Sequence, residues 1–375
     1  MIVLTLNSGS SSLKWGMHRI DTVHCETLCA SCVAATDDNH AFEDIARQIM
    51  DAGLPTIDAI GHRLVHGGPS LRQPCRIDDA VLLQLDDASH FAPLHLPCAL
   101  RLIRAARQHF QHVPQVACFD TSFHANLPDV ARVLPLAREL QLDGVQRYGF
   151  HGLSCQSIVH QLGAALPERL VIAHLGNGAS ITAVRKGRSV DTSMGLTPTG
   201  GVVMGTRSGD LDPGVLLYLM RVGQFDVGVL ETLLNQRSGL LGVSGVSGDL
   251  RQLHAAAGTH AAADLAIQMF CQSVCKQIAA MIAVLDGLDL LVFTGGIGEN
   301  DATVRAAICC GLGWIGIQLD PHHNQPADSA LISAGSGSIH DTTSRCQVRV
   351  LAAQEDAQIA RLTWALLDTA AKIPA

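Results

Sequence analysis

Aromatic residues are scarce: three Trp, two Tyr and nine Phe in 375 residues, so Ala, Leu, Val and Gly must fill the core. Charge is also sparse, at 16% of residues, and its balance is acidic, at −8. An acidic chain with no basic run lacks the cations needed to replace phosphate counterions, which excludes a nucleic-acid binder. It does not exclude a local cationic pocket for a small anion. With 47% apolar residues and so little charge, intrinsic disorder is excluded. No run of 18 apolar residues occurs, because Asp286 and Asp289 interrupt the best one, and no membrane span is expected. The segment MIVLTLNSGSSSLKWGMH has no basic region followed by an apolar stretch, so no signal peptide is expected and the location read is cytoplasmic. The 12 cysteines are too thinly spread for a disulfide scaffold. Cys29-x-x-Cys32, with Cys25 upstream, has a metal-like spacing, but no second CxxC or CxxH lies near it. Idle thiols in a reducing compartment are the reading adopted over a zinc site. GxxxxGK[ST] is absent, Gly296-Ile-Gly298 lacks the third glycine of GxGxxG, and no GxSxG occurs. These absences remove the P-loop, the Rossmann dinucleotide site and the usual argument for an esterase.

The length suggests two domains, at roughly 150 residues each. Short aliphatic runs predict strands at Ile2–Leu6, Ala59–Leu64, Gln115–Phe119, Leu170–Leu175, Leu288–Phe293 and Val348–Ala352. Helical periodicity is clearest at Ala80–Ser89, Pro97–His109, Ser154–Ala165, Pro213–Val222, Ala262–Leu285 and Glu355–Thr369. Strands alternating with helices mean an α/β fold. The pattern L-x-x-G-x-S occurs at Leu6, Gly9, Ser11 and again at Leu175, Gly178, Ser180, an offset of 169 residues that points to a duplicated domain. Turn signals at Pro128, Pro135 and 143–149 place a boundary near 124–150, and Leu312–Ile339 reads as an irregular surface excursion.

Three Gly-rich turns each follow a short apolar strand: LNSGSSSLK at 6–14, HLGNGAS at 174–180 and FTGGIGEN at 293–300. Any one alone reads as an ordinary hairpin turn. Three together point to nucleotide binding, since Gly allows close backbone approach and Ser hydroxyls with successive N–H groups cup phosphate oxygens. Arg63, His151, His174 and Arg207 each sit near glycine in motifs rich in Arg and His. An acidic protein that concentrates these groups at Gly-rich turns is built to hold anions.

These residues carry a resemblance. NSGSSSLK, GHRLVHGG, APLH, FDTSFH, RYGFHG, AHLGNGAS, DTSMGLTP, VMGTRSGDLDPG and FTGGIGEN occur in that order between residues 7 and 300. The sequence resembles the acetokinase family, within the actin, sugar-kinase and heat-shock ATPase superfamily. The resemblance implies an α/β fold of two duplicated ribonuclease-H-like, actin-like ATPase domains around a nucleotide cleft. The first would be residues 1–124 with a returning helix 357–375, and the second residues 125–356, carrying the nucleotide and a homodimer contact. It implies reversible transfer of the γ-phosphoryl group of ATP to acetate, with ADP and acetyl phosphate as products. Mg²⁺, or Mn²⁺ in its place, would be the metal.

By the same resemblance, Asn7, Ser10, Ser12 and Lys14 match a first phosphate-binding turn, and His174, Asn177 and Gly178 a second. Gly296, Ile297 and Asn300 match an adenosine-holding turn, with Asp249 and Arg251 beside the adenine. Arg63, His95, Asp120, His151 and Arg207 match the catalytic group, in which His151 and Arg207 stabilise the transition state. Asn7 and Glu355 match the metal-linked positions, while Arg63, Val65, Leu94, Phe150 and Pro198 match the substrate pocket. Departures from the family pattern fall at Leu96, Cys155, Thr199-Gly200, where a carboxylate is lost, Leu250 and Gln354.

Acetate is already ionised at neutral pH, so no strong base is needed. The task is to bring anions together in line. Guanidinium forks suit carboxylate and phosphoryl oxygens, and imidazoles donate to the charge that spreads in the transition state. Asp120 is left open between binding metal and orienting Arg or His. Propionate and butyrate remain open as acceptors, since one methylene changes discrimination by only about 1–3 kcal/mol. A non-catalytic actin-like ATP switch is the remaining alternative, and it gives Arg63, His151 and Arg207 no purpose.

Overall fold

A computed structural model describes residues 1–8, 12–34, 38–223, 225–325 and 337–371. The chain divides into two compact units. Unit 1 is Met1–Ala125 with His151–Ser157 and Gln354–Ala375, and unit 2 is Asn126–Phe150 with Ile158–Ala353. The segment His151–Ser157, read from sequence as part of the second domain, goes with unit 1. The Gly152 N–H donates to the Asp120 carbonyl at 2.8 Å, and Leu153 packs with Val116 and Cys118.

Unit 1 is built on β1 (Ile2–Ser8), β2 (Ser12–Ile20), β3 (Cys25–Ala34), β4 (Ala59–Leu64), β5 (Cys75–Arg76) and β6 (Gln115–Phe119), in the order β3-β2-β1-β4-β6-β5. The hairpins β1–β2 and β2–β3 are antiparallel, and β1, β4 and β6 run parallel. The parallel strands read as continuous apolar runs because both faces are covered. On one face Leu4, Leu6, Trp15 and Met17 pack with Phe42 and Ile45 of the helix Asp38–Asp51 and Leu102 of the helix Leu96–His109. On the other, Val3, Ala59, Val116 and Cys118 meet Ile359 and Ala360 of the helix Glu355–Ala371. That helix lies so close that a Cβ on Gly61 would stand 2.5 Å from both Ile359 and Thr363. Only glycine permits this approach.

Unit 2 repeats the plan. Its strands are β7 (Arg169–Leu175), β8 (Ala179–Arg185), β9 (Arg188–Thr192), β10 (Leu290–Thr294) and β11 (Gln347–Val350). The order β9-β8-β7-β10-β11 reproduces β3-β2-β1-β4-β6, with two antiparallel pairings followed by two parallel ones. The first two Gly-rich turns therefore join equivalent antiparallel strands, which gives the L-x-x-G-x-S repeat a structural basis. The 25-residue helix Ala261–Leu285 is long and apolar enough to cross a membrane by length and composition, a property that uninterrupted apolar runs alone do not register. In the fold it buries Ala266, Phe270, Val274, Ile278 and Met281 and packs on β7 and β8. The described part of the 312–339 stretch includes a short 3-10 turn at Gly313–Ile315 and a bridge from Leu319 to His340; residues 326–336 lie outside the described residues.

Candidate active site

At the carboxyl ends of β1, β4 and β6, unit 1 gathers its ionic groups. Arg63 is on β4, and Asp120 directly follows β6 and is 1% exposed. Arg63 Nε donates to Asp120 Oδ1 and Oδ2 at 3.2 and 3.1 Å, and Nη2 to Oδ2 at 2.6 Å. Its Nη1 donates to Asn7 Oδ1 at 2.9 Å, and Asn7 Nδ2 donates to Glu355 Oε2 at 3.3 Å. Of a guanidinium's five N–H groups, these contacts leave one on each terminal nitrogen for an anion.

Burial pushes the Asp120 carboxyl upward and Glu355 adds to this, while Arg63 pulls the other way. Burial would weaken the charge on Arg63, but the carboxylates of Asp120 and Glu355 outweigh it and hold the guanidinium protonated. Asp356 is pushed up by burial and by Glu355, and its Oδ1 has no hydrogen-bond partner among the described residues. The neighbourhood thus collects three carboxylates around one tightly held cation. Sequence reading missed Asp356, whose only local mark is its place beside Glu355 at the start of a helix. Lys14 lies near enough to Asp356 to oppose its upward shift. Ser10 lies outside the described residues, as does the side chain of Ser12.

His151 has a positive φ of 55° and is buried, immediately before the helix Gly152–Leu162. A Cβ on Gly152 would fall 2.2 Å from the Asp120 carbonyl oxygen. This tight join fixes His151 against the end of β6. His95 is half-buried at the start of the helix Leu96–His109, Val65 is half-buried beyond β4, and Leu94 is exposed.

Unit 2 assembles a second group. His174 and Asn177 flank the β7–β8 turn, in which the Gly176 N–H donates to the Gly178 carbonyl at 3.0 Å. A Cβ on Gly295 would lie 3.2 Å from His174 Nε2, and one on Gly205 would lie 2.4 Å from Asn177 Oδ1 and 3.0 Å from the Gly248 carbonyl. Backbone therefore crowds against backbone around this turn, and the N–H groups of Gly176, Gly205 and Gly295 donate to the Gly178 carbonyl, the Asn177 carbonyl and Glu299 Oε1. Asp249, next in sequence, caps the helix Leu250–Ala256 and pairs with Arg251 at 2.6 Å. That guanidinium holds the Asp249 carboxyl below its usual range. Arg207 Nη1 donates to the Pro198 carbonyl at 3.2 Å, which brings those two candidates together. Phe150 is buried.

FTGGIGEN, expected as a turn, continues into a short helix, Gly295–Asn300. Glu299 Oε1 accepts from the Gly295 N–H at 2.9 Å and the Ala353 N–H at 3.0 Å. Arg305, fully buried, donates through Nη1 to the carbonyls of Gly298 and Glu299 at 2.8 and 2.9 Å. A Gly-rich segment of low helix propensity is thus held helical from both ends. Gly296 and Ile297 lie on this helix, and Asn300 Nδ2 closes it on the Gly296 carbonyl at 2.9 Å. Nothing local in the sequence marked Arg305 or Glu299 as braces.

No set of three or more His, Cys, Asp or Glu side chains among the described residues is arranged to hold a metal. Asn7, Asp120, Glu355 and Asp356 offer oxygen donors that suit a hard cation which keeps waters and substrate phosphates as its other ligands.

The profile of the acetokinase family matches residues 30–361. The chain is 48% identical over 321 residues to an acetate kinase of Thermosynechococcus vestitus, covering 84% of this chain and 75% of that one. It is 38% identical to an acetate kinase of Rhodopseudomonas palustris, over 98% of each. Among solved structures, a propionate kinase from Francisella tularensis superposes with a TM-score of 0.87 at 34% identity, covering 97% of this chain and 99% of that one. The acetate kinase of Porphyromonas gingivalis gives 0.86 at 32% identity, covering 98% and 99%.

Proposed function

The chain belongs to the acetokinase family, and from that premise we propose that it transfers the γ-phosphoryl group of ATP reversibly to acetate, forming ADP and acetyl phosphate. The observation that carries this is Arg63, held by Asp120 and Asn7 with two N–H groups left for an anion. A guanidinium fixed in this way orients a carboxylate and does not spend rotamer entropy when it binds. His151, set by its backbone turn, and Arg207 donate to the phosphoryl oxygens as charge spreads, and His95 supports the same group. The hairpin turns with Asn7, Ser10, Ser12 and Lys14, and with His174, Asn177 and Gly178, take the phosphates. Gly296, Ile297, Asn300, Asp249 and Arg251 take the nucleoside. Val65, Leu94, Phe150 and Pro198 are proposed as the residues that select the acyl chain. Mg²⁺, or Mn²⁺ in its place, would be held at Asn7 and Glu355 through water and would neutralise phosphate charge. Asp120 is bonded to Arg63 in this structure, which favours the orienting role for it. The two compact units, each built on the same strand order, are proposed as the two domains, with His151–Ser157 belonging to the first.

A propionate preference is the second reading, favoured by the 34% identity to a propionate kinase. A hydroxamate assay with ATP, Mg²⁺ and graded acetate, propionate and butyrate separates the two. ATP hydrolysis indifferent to every short carboxylate would overturn both. We also propose a homodimer. The apolar helix Pro213–Val222 buries none of its residues, and Leu217, Tyr218 and Val222 are more than half exposed. A face of this kind fits a second copy. Sedimentation should give a dimer that Leu217→Asp with Tyr218→Asp converts to monomer. All 12 cysteines are present as thiols, which supports a cytoplasmic location.

A further inference from the structure

We infer that His254 and Asp301 tie together the two segments proposed above to hold the nucleoside, and that this tie sets nucleotide affinity without taking part in phosphoryl transfer. The inference rests on the proposed placement of the nucleoside at Asp249, Arg251, Gly296, Ile297 and Asn300. Both segments are weak as helices. Leu250–Ala256 has seven residues, and Gly295–Asn300 has six, three of them glycine. A helix this short is not stable by itself, and glycine lowers its propensity further. Contacts from elsewhere in unit 2 must therefore fix where each one stands. One such contact joins them directly. His254 Nε2 donates to Asp301 Oδ2 at 2.8 Å, with the two side chains only 30% and 16% exposed.

Asp301 stands at a junction. Its N–H donates to the Ile297 carbonyl at 2.9 Å and closes the glycine-rich helix. Its Oδ1 accepts from the Val304 N–H at 2.9 Å and caps the helix Ala302–Gly311. The second carboxylate oxygen is the one that reaches His254. One residue thus ends the 295–300 segment, starts the next helix and holds the 250–256 segment. On that segment Leu250 and Leu253 are buried. Apolar burial is non-directional, so two leucines alone let a two-turn helix rock about its buried stripe. His254 follows Leu250 by four residues and Arg251 by three, which puts it between the buried stripe and the side that carries Arg251. A directional bond at this point fixes the rotation of the helix. It fixes Arg251 as well, whose guanidinium is already held to Asp249 at 2.6 Å. Residues 249–256 contain no Phe, Tyr or Trp to stack on a base. Affinity then depends on how the two segments are set against each other, and His254 and Asp301 are positioning residues for that setting.

The test is isothermal titration of the full chain with ADP and Mg²⁺, run beside the hydroxamate assay. A hydrogen bond to a carboxylate is strong enough that His254→Ala should raise the Kd for ADP, and the KM for ATP, about tenfold. The KM for acetate and the turnover at saturating ATP should stay within about twofold of the parent. His254→Gln keeps an N–H donor of similar reach and should bring the Kd back to within about threefold. Asp301→Ser keeps a cap for Val304 but is too short to reach His254, so it should match His254→Ala. The double variant should then bind ADP no worse than either single one, within about twofold. A lowered thermal midpoint with an unchanged Kd for ADP would make the pair merely structural and overturn the inference. Additive losses in the double variant, or no recovery in His254→Gln, would overturn it too. Hydrogen–deuterium exchange separates such a failure from failure of the underlying reading. ADP should slow exchange over residues 249–256 and 295–301 of the parent, and no slowing there would overturn the nucleoside placement and the tie with it.

Discussion

Replacing Arg63 with Ala should unbalance unit 1 in a way that acid repairs. Asp120 is 1% exposed and receives hydrogen bonds from both Nε and Nη2 of Arg63. Removing the cation leaves a buried carboxylate beside Glu355 and Asp356. Breaking a buried pair from one side costs about 3–5 kcal/mol. The Arg63 side chain is 20% exposed, so water entering the vacated space should recover part of this, and the expected loss is about 3 kcal/mol. With a urea slope near 3 kcal/mol/M, the first unfolding midpoint should fall by about 1 M. Burial already raises the Asp120 carboxyl against the pull of Arg63. Without Arg63 its folded-state pKa rises further above the unfolded value. Such a group lends stability fully present below the unfolded pKa and lost as pH climbs through the folded one. The deficit of the variant should therefore be largest near about pH 8 and shrink toward about pH 5. Asp120→Asn in the same chain removes the stranded charge and should restore about 2 kcal/mol. Urea titrations followed by far-UV circular dichroism from acid to mild alkali test this. A deficit that stays flat with pH, or one that Asp120→Asn leaves untouched, would refute the reasoning.

Gly152→Ala should lower the thermal midpoint and turnover together, because its Cβ would stand 2.2 Å from the Asp120 carbonyl and 2.9 Å from the Phe123 Cβ; full activity at an unchanged midpoint would contradict the join described. Arg207→Lys keeps the charge but loses the fork, and the hydroxamate assay should show turnover lower by about 10²–10³; near-parental turnover would remove the clamp from the mechanism. Val65→Ala should raise the ratio of specificity constants for propionate over acetate by about fourfold, from roughly 0.8 kcal/mol per buried CH₂, and an unchanged ratio would place Val65 outside the pocket.

The central strands were the most legible part of the fold. Ala59–Leu64 and Gln115–Phe119 match β4 and β6 residue for residue, because strands covered on both faces need uninterrupted apolar runs. The outer hairpin strands were not assigned. On β2, Leu13, Trp15 and Met17 point inward and alternate with the exposed Lys14, and a register shift between Met17 and His18 breaks the pattern. FTGGIGEN reads as a turn on propensity, and its helix depends on Arg305, Glu299 and a backbone that only the tertiary fold brings near. For the site, residue types and Gly-rich turns marked an anion binder. Their juxtaposition was reached through family resemblance and not through local pattern, since Arg63 and Asp120 are 57 positions apart and Asn7 and Glu355 are 348 apart. The pairing of His62 with Gln115 had no local mark, because the two residues are 53 positions apart on neighbouring strands.

The helix Glu355–Ala371 covers one face of the unit 1 sheet, yet it lies in sequence after all of unit 2. On the ribosome this ordering has a cost in time. Strands β1 to β6 emerge first, but their second face stays open while the whole of unit 2 is synthesised. At about 5–20 residues per second, that interval is roughly 10–45 s. Unit 2 can close its core during the wait, whereas Val3, Ala59, Val116 and Cys118 remain uncovered until the last helix arrives. Nascent chains of unit 1 are thus the ones that need shielding by a chaperone, and a stop codon just before Glu355 would cripple the half of the protein made first.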